Sequence, residues 1–335
     1  MTDLAQADLP PATVICTSRS WRNLALAAAA AVLFLISSSR VFAQDEGTVV
    51  RVDTDLAVLE VTVTDKNGKP VRDLTAADLR IFEDGSERPI EFFQPIRSSG
   101  VRRPLTIVFA LDVSGSMTPE ELLKLKSAMQ TFIDRLADYN SYFAVIAFAM
   151  NVKILQQFTN RPDKLQNAFE KLGRDRDGLS THAYDAVDTA LRLLRKDSPK
   201  VIRERFPKRA VVLISDGFPV GDVVGPDTVI ERANDAETSV YGVILPSYSN
   251  VLGNKKPVIT PLEVSGLIEK TGGKSFYATA KNFEMLFADL AEEITGSYAV
   301  AFYPAEKTGG PPRRVRIEAK KGYLVRQNRD TVDVK

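Results

Sequence analysis

From Leu105 to Leu111 the chain reads Leu-Thr-Ile-Val-Phe-Ala-Leu, an apolar run that breaks abruptly into Asp-Val-Ser-Gly-Ser-Met at residues 112 to 117. A run of this kind forms a central strand buried on both faces of a parallel sheet. The break places Asp112, Ser114 and Ser116 on a loop at the strand's carboxyl end, the edge where open α/β sheets bind ligands. A helix start follows at once: Thr118 reads as the N-cap, Pro119 as the first helical residue and Glu121 as the residue closing a capping box. Alternate residues on such a short extended turn aim one carboxylate and two hydroxyls at a common centre. Three hard oxygen donors suit Mg2+, Mn2+ or Ca2+ and suit no soft metal. Asp and Ser also crowd turns for purely local reasons, so the weight of the pattern comes from its position after a buried strand.

Downstream, strand and helix patterns alternate, which predicts a parallel sheet with helices on both faces. After Thr118, residues Leu122, Leu125, Met129, Phe132, Ile133 and Leu136 recur at helical spacing. Residues 142–148 and 152–158 read as paired strands about Met150-Asn151. Val187, Ala190, Leu191 and Leu194 mark another helix, residues 240–245 another buried strand, and Thr260-Pro261-Leu262-Glu263 repeats the capping pattern. Phe283, Leu286, Phe287, Leu290 and Ile294 line a last helix.

The loop Asp112-Val113-Ser114-Gly115-Ser116 resembles the metal-ion-dependent adhesion site of von Willebrand factor A (VWA) domains. That family draws the rest of its site from two later loops. Thr181-His182-Ala183-Tyr184-Asp185-Ala186 matches the second, with Thr181 as the ligand. Ala210-Val211-Val212-Leu213-Ile214-Ser215-Asp216-Gly217 matches the third, with Asp216 as the ligand. The resemblance implies an α/β, Rossmann-like domain with a mostly parallel central sheet flanked by helices and the site at its upper edge. It also implies that Ser114, Ser116 and Thr181 contact the ion directly or through water, while Asp112 and Asp216 supply most of the charge. An open coordination position would then take an Asp or Glu from a protein partner, with Mg2+ (or Mn2+ or Ca2+) as the ion. His182, the only histidine, is assigned no role, because the adjacent family position varies. Asp185 is expected to bond nearby backbone and brace the Thr181 loop, and Asp175-Arg176-Asp177-Gly178 to be a solvated turn close to it.

The flanks read differently. Leu59, Val61 and Val63 alternate with Glu60, Thr62 and Thr64, the pattern of a half-buried strand. Asn67-Gly68 and Asp84-Gly85 supply turns, the second expected to join residues 79–82 to 90–93. Alone this segment is too small for a comfortable domain. At the other end, residues 298–303, 314–319 and 323–325 are strand-like. Both flanks are therefore expected to pack together as a small β-sandwich with the α/β domain inserted between them. The boundaries expected are 1–43, 44–100, 101–303 and 304–335. The motif Val63-Thr64-Asp65-Lys66-Asn67-Gly68-Lys69-Pro70-Val71, with Phe82-Glu83-Asp84-Gly85, resembles the leader region of secreted bacterial A-domain-related proteins best known from acidobacteria.

The first 43 residues read as a signal peptide. Arg19 and Arg22 precede an apolar stretch from Leu24 to Ile36, and Val41-Phe42-Ala43 has the small-residue pattern of a cleavage site before Gln44. The apolar core is short for a bilayer span, which takes about 20 residues; an uncleaved anchor is the alternative. Cleavage would remove Cys16, the chain's single cysteine, so neither disulfides nor thiol chemistry is expected in the mature protein. It would also leave no net charge, hence no whole-molecule attraction for nucleic acid or an anionic membrane. A periplasmic or extracellular location follows.

Enzyme signatures are missing. A dehalogenase-type phosphotransferase would need Asp where Ser114 stands, a serine-hydrolase elbow would need Gly at 112 and 116, and no P-loop or dinucleotide glycine fingerprint occurs. No general base is evident beside the oxygen cluster. The expectation is a non-enzymatic adhesion or assembly module, with a structural scaffold carrying a degenerate or purely structural ion site as the alternative and a metal-dependent hydrolase behind both.

Overall fold

The structure, a computed structural model, describes residues 56–95, 97–98, 101–115, 117–172, 180–203, 205–251, 254–279, 282–305 and 311–332. The leader 1–43 and the Asp175–Gly178 cluster lie outside the described residues.

A six-stranded sheet runs in the order Ser275–Tyr277, Thr238–Ile244, Lys208–Ser215, Leu105–Asp112, Tyr142–Phe148, Val152–Thr159. Every pair is parallel except the last, which is an antiparallel hairpin. Leu105–Asp112 is central and buried along its whole length. Its side chains alternate between two cores. Ile107, Phe109 and Leu111 pack with Leu125, Met129 and Phe132 of the Pro119–Arg135 helix and Phe283, Phe287 and Leu290 of the Phe283–Thr295 helix. Val108 and Ala110 face Val187, Ala190 and Leu194 of the Ala183–Asp197 helix on the other side. A strand with apolar residues on both of its faces can be buried only where helices cover both, which is why this sequence selects a doubly wound layer structure.

The flanking strands form two antiparallel four-stranded sheets. One runs Leu324–Gln327, Ala57–Thr64, Ser297–Phe302, Phe92–Pro95; the other runs Thr331–Val332, Arg313–Ala319, Leu79–Glu83, Ser86–Arg88. Leu59, Val61, Val63, Val300 and Phe302 of the first meet Leu79, Ile81, Val315 and Ile317 of the second in one core. This is the sandwich expected from the alternation in both flanks.

Three details depart from the sequence reading. Ser297–Phe302 pairs with Ala57–Thr64 and Phe92–Pro95, so it belongs to the sandwich and the α/β part ends with the preceding helix at Thr295, not at 303. The Asp84-Gly85 turn joins Leu79–Glu83 to Ser86–Arg88; both turn residues have positive φ, 46° and 84°, as a two-residue hairpin of right-handed twist requires. Residues Phe92–Pro95 cross to the other sheet instead. Finally, Glu60, Thr62 and Thr64 are buried as well as their apolar neighbours. Their face is covered by the lower edge of the six-stranded sheet, where Arg103 pairs with Glu60 at 2.5 Å.

Candidate metal centre

Asp112 ends the central strand, level with Phe148 of the neighbouring strand, and its side chain is fully buried. One carboxylate oxygen, Oδ1, accepts from the Ser114 amide at 2.9 Å, and Oδ2 accepts from the Ser215 hydroxyl at 2.8 Å. The loop between them and the next helix is fixed at both ends. Val113 N donates to Phe148 O at 2.8 Å, Gly115 takes φ +106° to turn the chain, and Met117 is buried in the helix-covered core. The predicted capping box is present, with Thr118 Oγ1 accepting from Glu121 N at 3.2 Å and Glu121 accepting from Thr118 N at 2.9 Å. Ser114 is half-buried beside Asp112. Ser116 lies outside the described residues.

Thr181 is buried, and its backbone forms a two-way bridge to Val220, N to O at 3.2 Å and O from N at 2.9 Å. The next amide, His182 N, donates to Ala149 O at 3.0 Å. The Thr181 loop is thereby held between the strand end beside Asp112 and the loop that follows Asp216. Asp216 stands just past the Lys208–Ser215 strand, half-exposed, with Oδ1 accepting from Phe218 N at 3.1 Å. Its neighbour Gly217 has φ +84°, and a Cβ there would lie 2.5 Å from Thr260 Oγ1; only glycine lets this loop lie against the second capping box.

Two supporting residues were not singled out in the sequence. Ser215 donates to Asp112 and accepts from Gly217 N at 3.1 Å, joining the first and third loops through one hydroxyl. Asp222 accepts from Asp185 N at 2.9 Å, and burial raises its carboxyl above the ordinary range. The signal for Ser215 was its place before Asp216 at a strand end; the contact itself crosses 103 residues, which no local pattern encodes. Asp185 braces more than the Thr181 loop: its carboxylate accepts from Val223 N at 3.0 Å and Val224 N at 2.9 Å, and from His182 Nδ1 at 3.0 Å when that nitrogen is protonated. The other imidazole nitrogen faces Gly221, so His182 serves the loop that follows Asp216.

The electrostatics bear on whether these residues fit a dication. Burial raises the Asp112 carboxyl above its ordinary range, hydrogen bonds from Ser114 and Ser215 oppose the rise, and the nearby Asp216 charge adds to it. None of the ion pairs among the described residues involves Asp112 or Asp216. Two carboxylates that feel one another and lack a cationic partner, flanked by neutral hydroxyls, are a donor set for a hard dication. No group of three or more His, Cys, Asp or Glu suited to a metal occurs among the described residues, so hydroxyls would be needed to complete any shell.

Known proteins place the chain. Residues 106–285 match the model of the von Willebrand factor type A domain. Among curated proteins none matches. Solved structures similar to this chain include an aerotolerance-related membrane protein from Bacteroides fragilis NCTC 9343, at 18% identity over 57% of this chain and 98% of that one, TM-score 0.44. Another is BatB from Bacteroides thetaiotaomicron, at 20% identity over 57% and 97%, TM-score 0.42. A third is proximal thread matrix protein 1 from the mussel byssus, solved with zinc in its MIDAS motif, at 16% identity over 61% and 48%, TM-score 0.45. The matched segment spans more than half of the chain and contains all three loops described above; the protein belongs to the von Willebrand factor type A domain family.

Proposed function

We propose that this protein is a non-enzymatic, divalent-metal-dependent protein-binding module of the cell envelope or its exterior. The observation that carries the reading is Asp112: a fully buried carboxylate, close to the charge of Asp216, without a basic partner among the described residues. Asp112 and Asp216 would hold the ion with Ser114, Ser116 and Thr181. Mg2+ is the first choice, with Mn2+ or Ca2+ able to use the same oxygens.

A bound dication would supply an electrophilic position for an incoming carboxylate. The chain's own residues prepare that position. Three of the five donors are neutral hydroxyls, so the protein offers the ion no charge beyond two carboxylates, and a coordination position left open would take an Asp or Glu from a partner. Ser215 and the Ser114 amide hold the Asp112 oxygens in place, and the Asp185 bonds to residues 223 and 224 keep the loop after Asp216 from drifting. The envelope location rests on the leader read from residues 1–43.

A scaffold reading, in which an ion only stiffens the loops, draws on the same hydrogen bonds, since both Asp112 oxygens already have donors. Capture from envelope extract separates the two. The full chain in Mg2+ is expected to retain a protein that EDTA releases and that Asp112→Ala fails to retain. Retention that survives both chelator and the substitution contradicts metal-dependent binding.

A further inference from the structure

The opposite edge of the six-stranded sheet, where its strands begin, is hollow. A cavity of about 450 Å3 opens between the outer face of the Ala57–Thr64 sheet and the entries to the Leu105–Asp112 and Lys208–Ser215 strands. Its size falls within the range of small-molecule pockets, about 300–1,000 Å3. Val58, Phe92, Phe206 and Ala299 give it an apolar wall. Phe206 is 48% exposed, an aromatic ring left at the mouth.

The polar wall is unusual in its balance. Arg103, 6% exposed, donates through Nε to Phe206 O at 2.9 Å and lies 2.5 Å from Glu60 Oε1. Glu60 is shared with a second buried cation, since Lys208 Nζ lies 3.7 Å from its other oxygen. One carboxylate thus answers two cations. Lys200 and Arg209 add further positive charge to the wall; Arg209 Nη1 reaches Ala236 O at 3.3 Å, while its buried Nε has no hydrogen-bond partner among the described residues. Glu237 is the remaining acid of the wall, and burial raises its carboxyl, which favours the neutral form. Buried donors are nearly always satisfied, and a guanidinium fork pairs with planar oxyanions such as a carboxylate or with phosphate.

We propose that this cavity binds a monocarboxylate with an apolar body, of the medium-chain fatty acid class, its carboxylate on Arg209 and its hydrocarbon against Val58, Phe92 and Phe206. Arg103, Lys200, Lys208 and Arg209 outnumber the two acids Glu60 and Glu237, so the polar wall suits an anion, and the apolar wall suits one with a hydrocarbon body. A phosphate would bring a second charge toward Glu60 and Glu237, and an uncharged alcohol would leave the guanidinium unanswered.

Calorimetric titration of the full chain with octanoate tests this, beside octan-1-ol and acetate. Octanoate is expected to bind at one per chain, about tenfold or more tighter than either control, the ratio expected when one charge-assisted hydrogen bond is added. Arg209→Gln should weaken octanoate about tenfold and Phe206→Ala severalfold, while Asp112→Ala leaves it unchanged. Gln94→Trp, which fills the cavity from an edge strand, should abolish binding; it decides the matter if Arg209→Gln lowers the melting temperature. Absence of octanoate binding at millimolar concentration, equal binding of octan-1-ol, or full binding by the folded Arg209→Gln and Gln94→Trp variants overturns the proposal.

Discussion

Asp112 has two conflicting demands on it. Its burial favours the protonated acid, whereas ion binding needs the carboxylate. The Ser215 hydroxyl and the Ser114 amide ease that conflict by donating to its two oxygens. Ser215→Ala should therefore destabilise the fold by about 1–3 kcal/mol, the usual result of leaving a buried acceptor short of a donor, read as a lower denaturant midpoint. The sign of the pH dependence follows from the raised carboxyl. A group whose folded-state value lies above its unfolded value contributes stability that is complete below the unfolded value and is lost as pH rises through the folded one. In the metal-free protein Asp112 is thus least costly in acid. A bound dication favours its ionised form, so the stabilisation by Mg2+ should be largest near pH 7 and shrink as pH falls toward about 4. Thermal melts with and without Mg2+ across that range check it; a gap that widens in acid contradicts the assignment.

At the scale of elements, the caps hold the loops to the helices. Thr118→Ala removes the acceptor for Glu121 N and should lower stability by about 0.5–2 kcal/mol. It should also weaken Mg2+ binding severalfold, because the loop carrying Ser114 and Ser116 ends at that cap; calorimetry on the variant reads both. These caps were legible in the sequence, as were the central strand and the strand ends carrying Asp112 and Asp216, since each is written in a short contiguous pattern. What was not legible is pairing across long separations. The alternation of Glu60, Thr62 and Thr64 looks like a solvent face, but all three are buried, and Glu60 meets Arg103 and Lys208, which arrive from elsewhere in the chain. Ser297–Phe302 follows its helix so closely that it reads as part of the α/β domain, yet its antiparallel partners are Ala57–Thr64 and Phe92–Pro95. On the Arg313–Ala319 strand Arg314 and Arg316 are exposed, while Arg313 reaches the buried Glu83 at 3.1 Å across 230 residues.

Across the whole molecule, the sandwich closes the chain on itself. Leu324–Gln327 pairs with Ala57–Thr64, and Arg313–Ala319 pairs with Leu79–Glu83. Deleting residues 305–335 should strip hydrogen-exchange protection from 57–64 and 79–83 while leaving 105–112 and 208–215 protected, because the latter strands are covered by helices from within the α/β part. Uniform loss of protection would instead mean that the two parts fold as one cooperative unit. The further claim is that the α/β part gathers oxygen donors from three distant loops around one dication. Isothermal titration of Mg2+ into the full chain and into Asp112→Ala and Thr181→Ala tests it most directly. One ion per chain, with binding lost in Asp112→Ala and weakened in Thr181→Ala, is the predicted result; no binding at millimolar Mg2+, or undiminished binding by both variants, contradicts it.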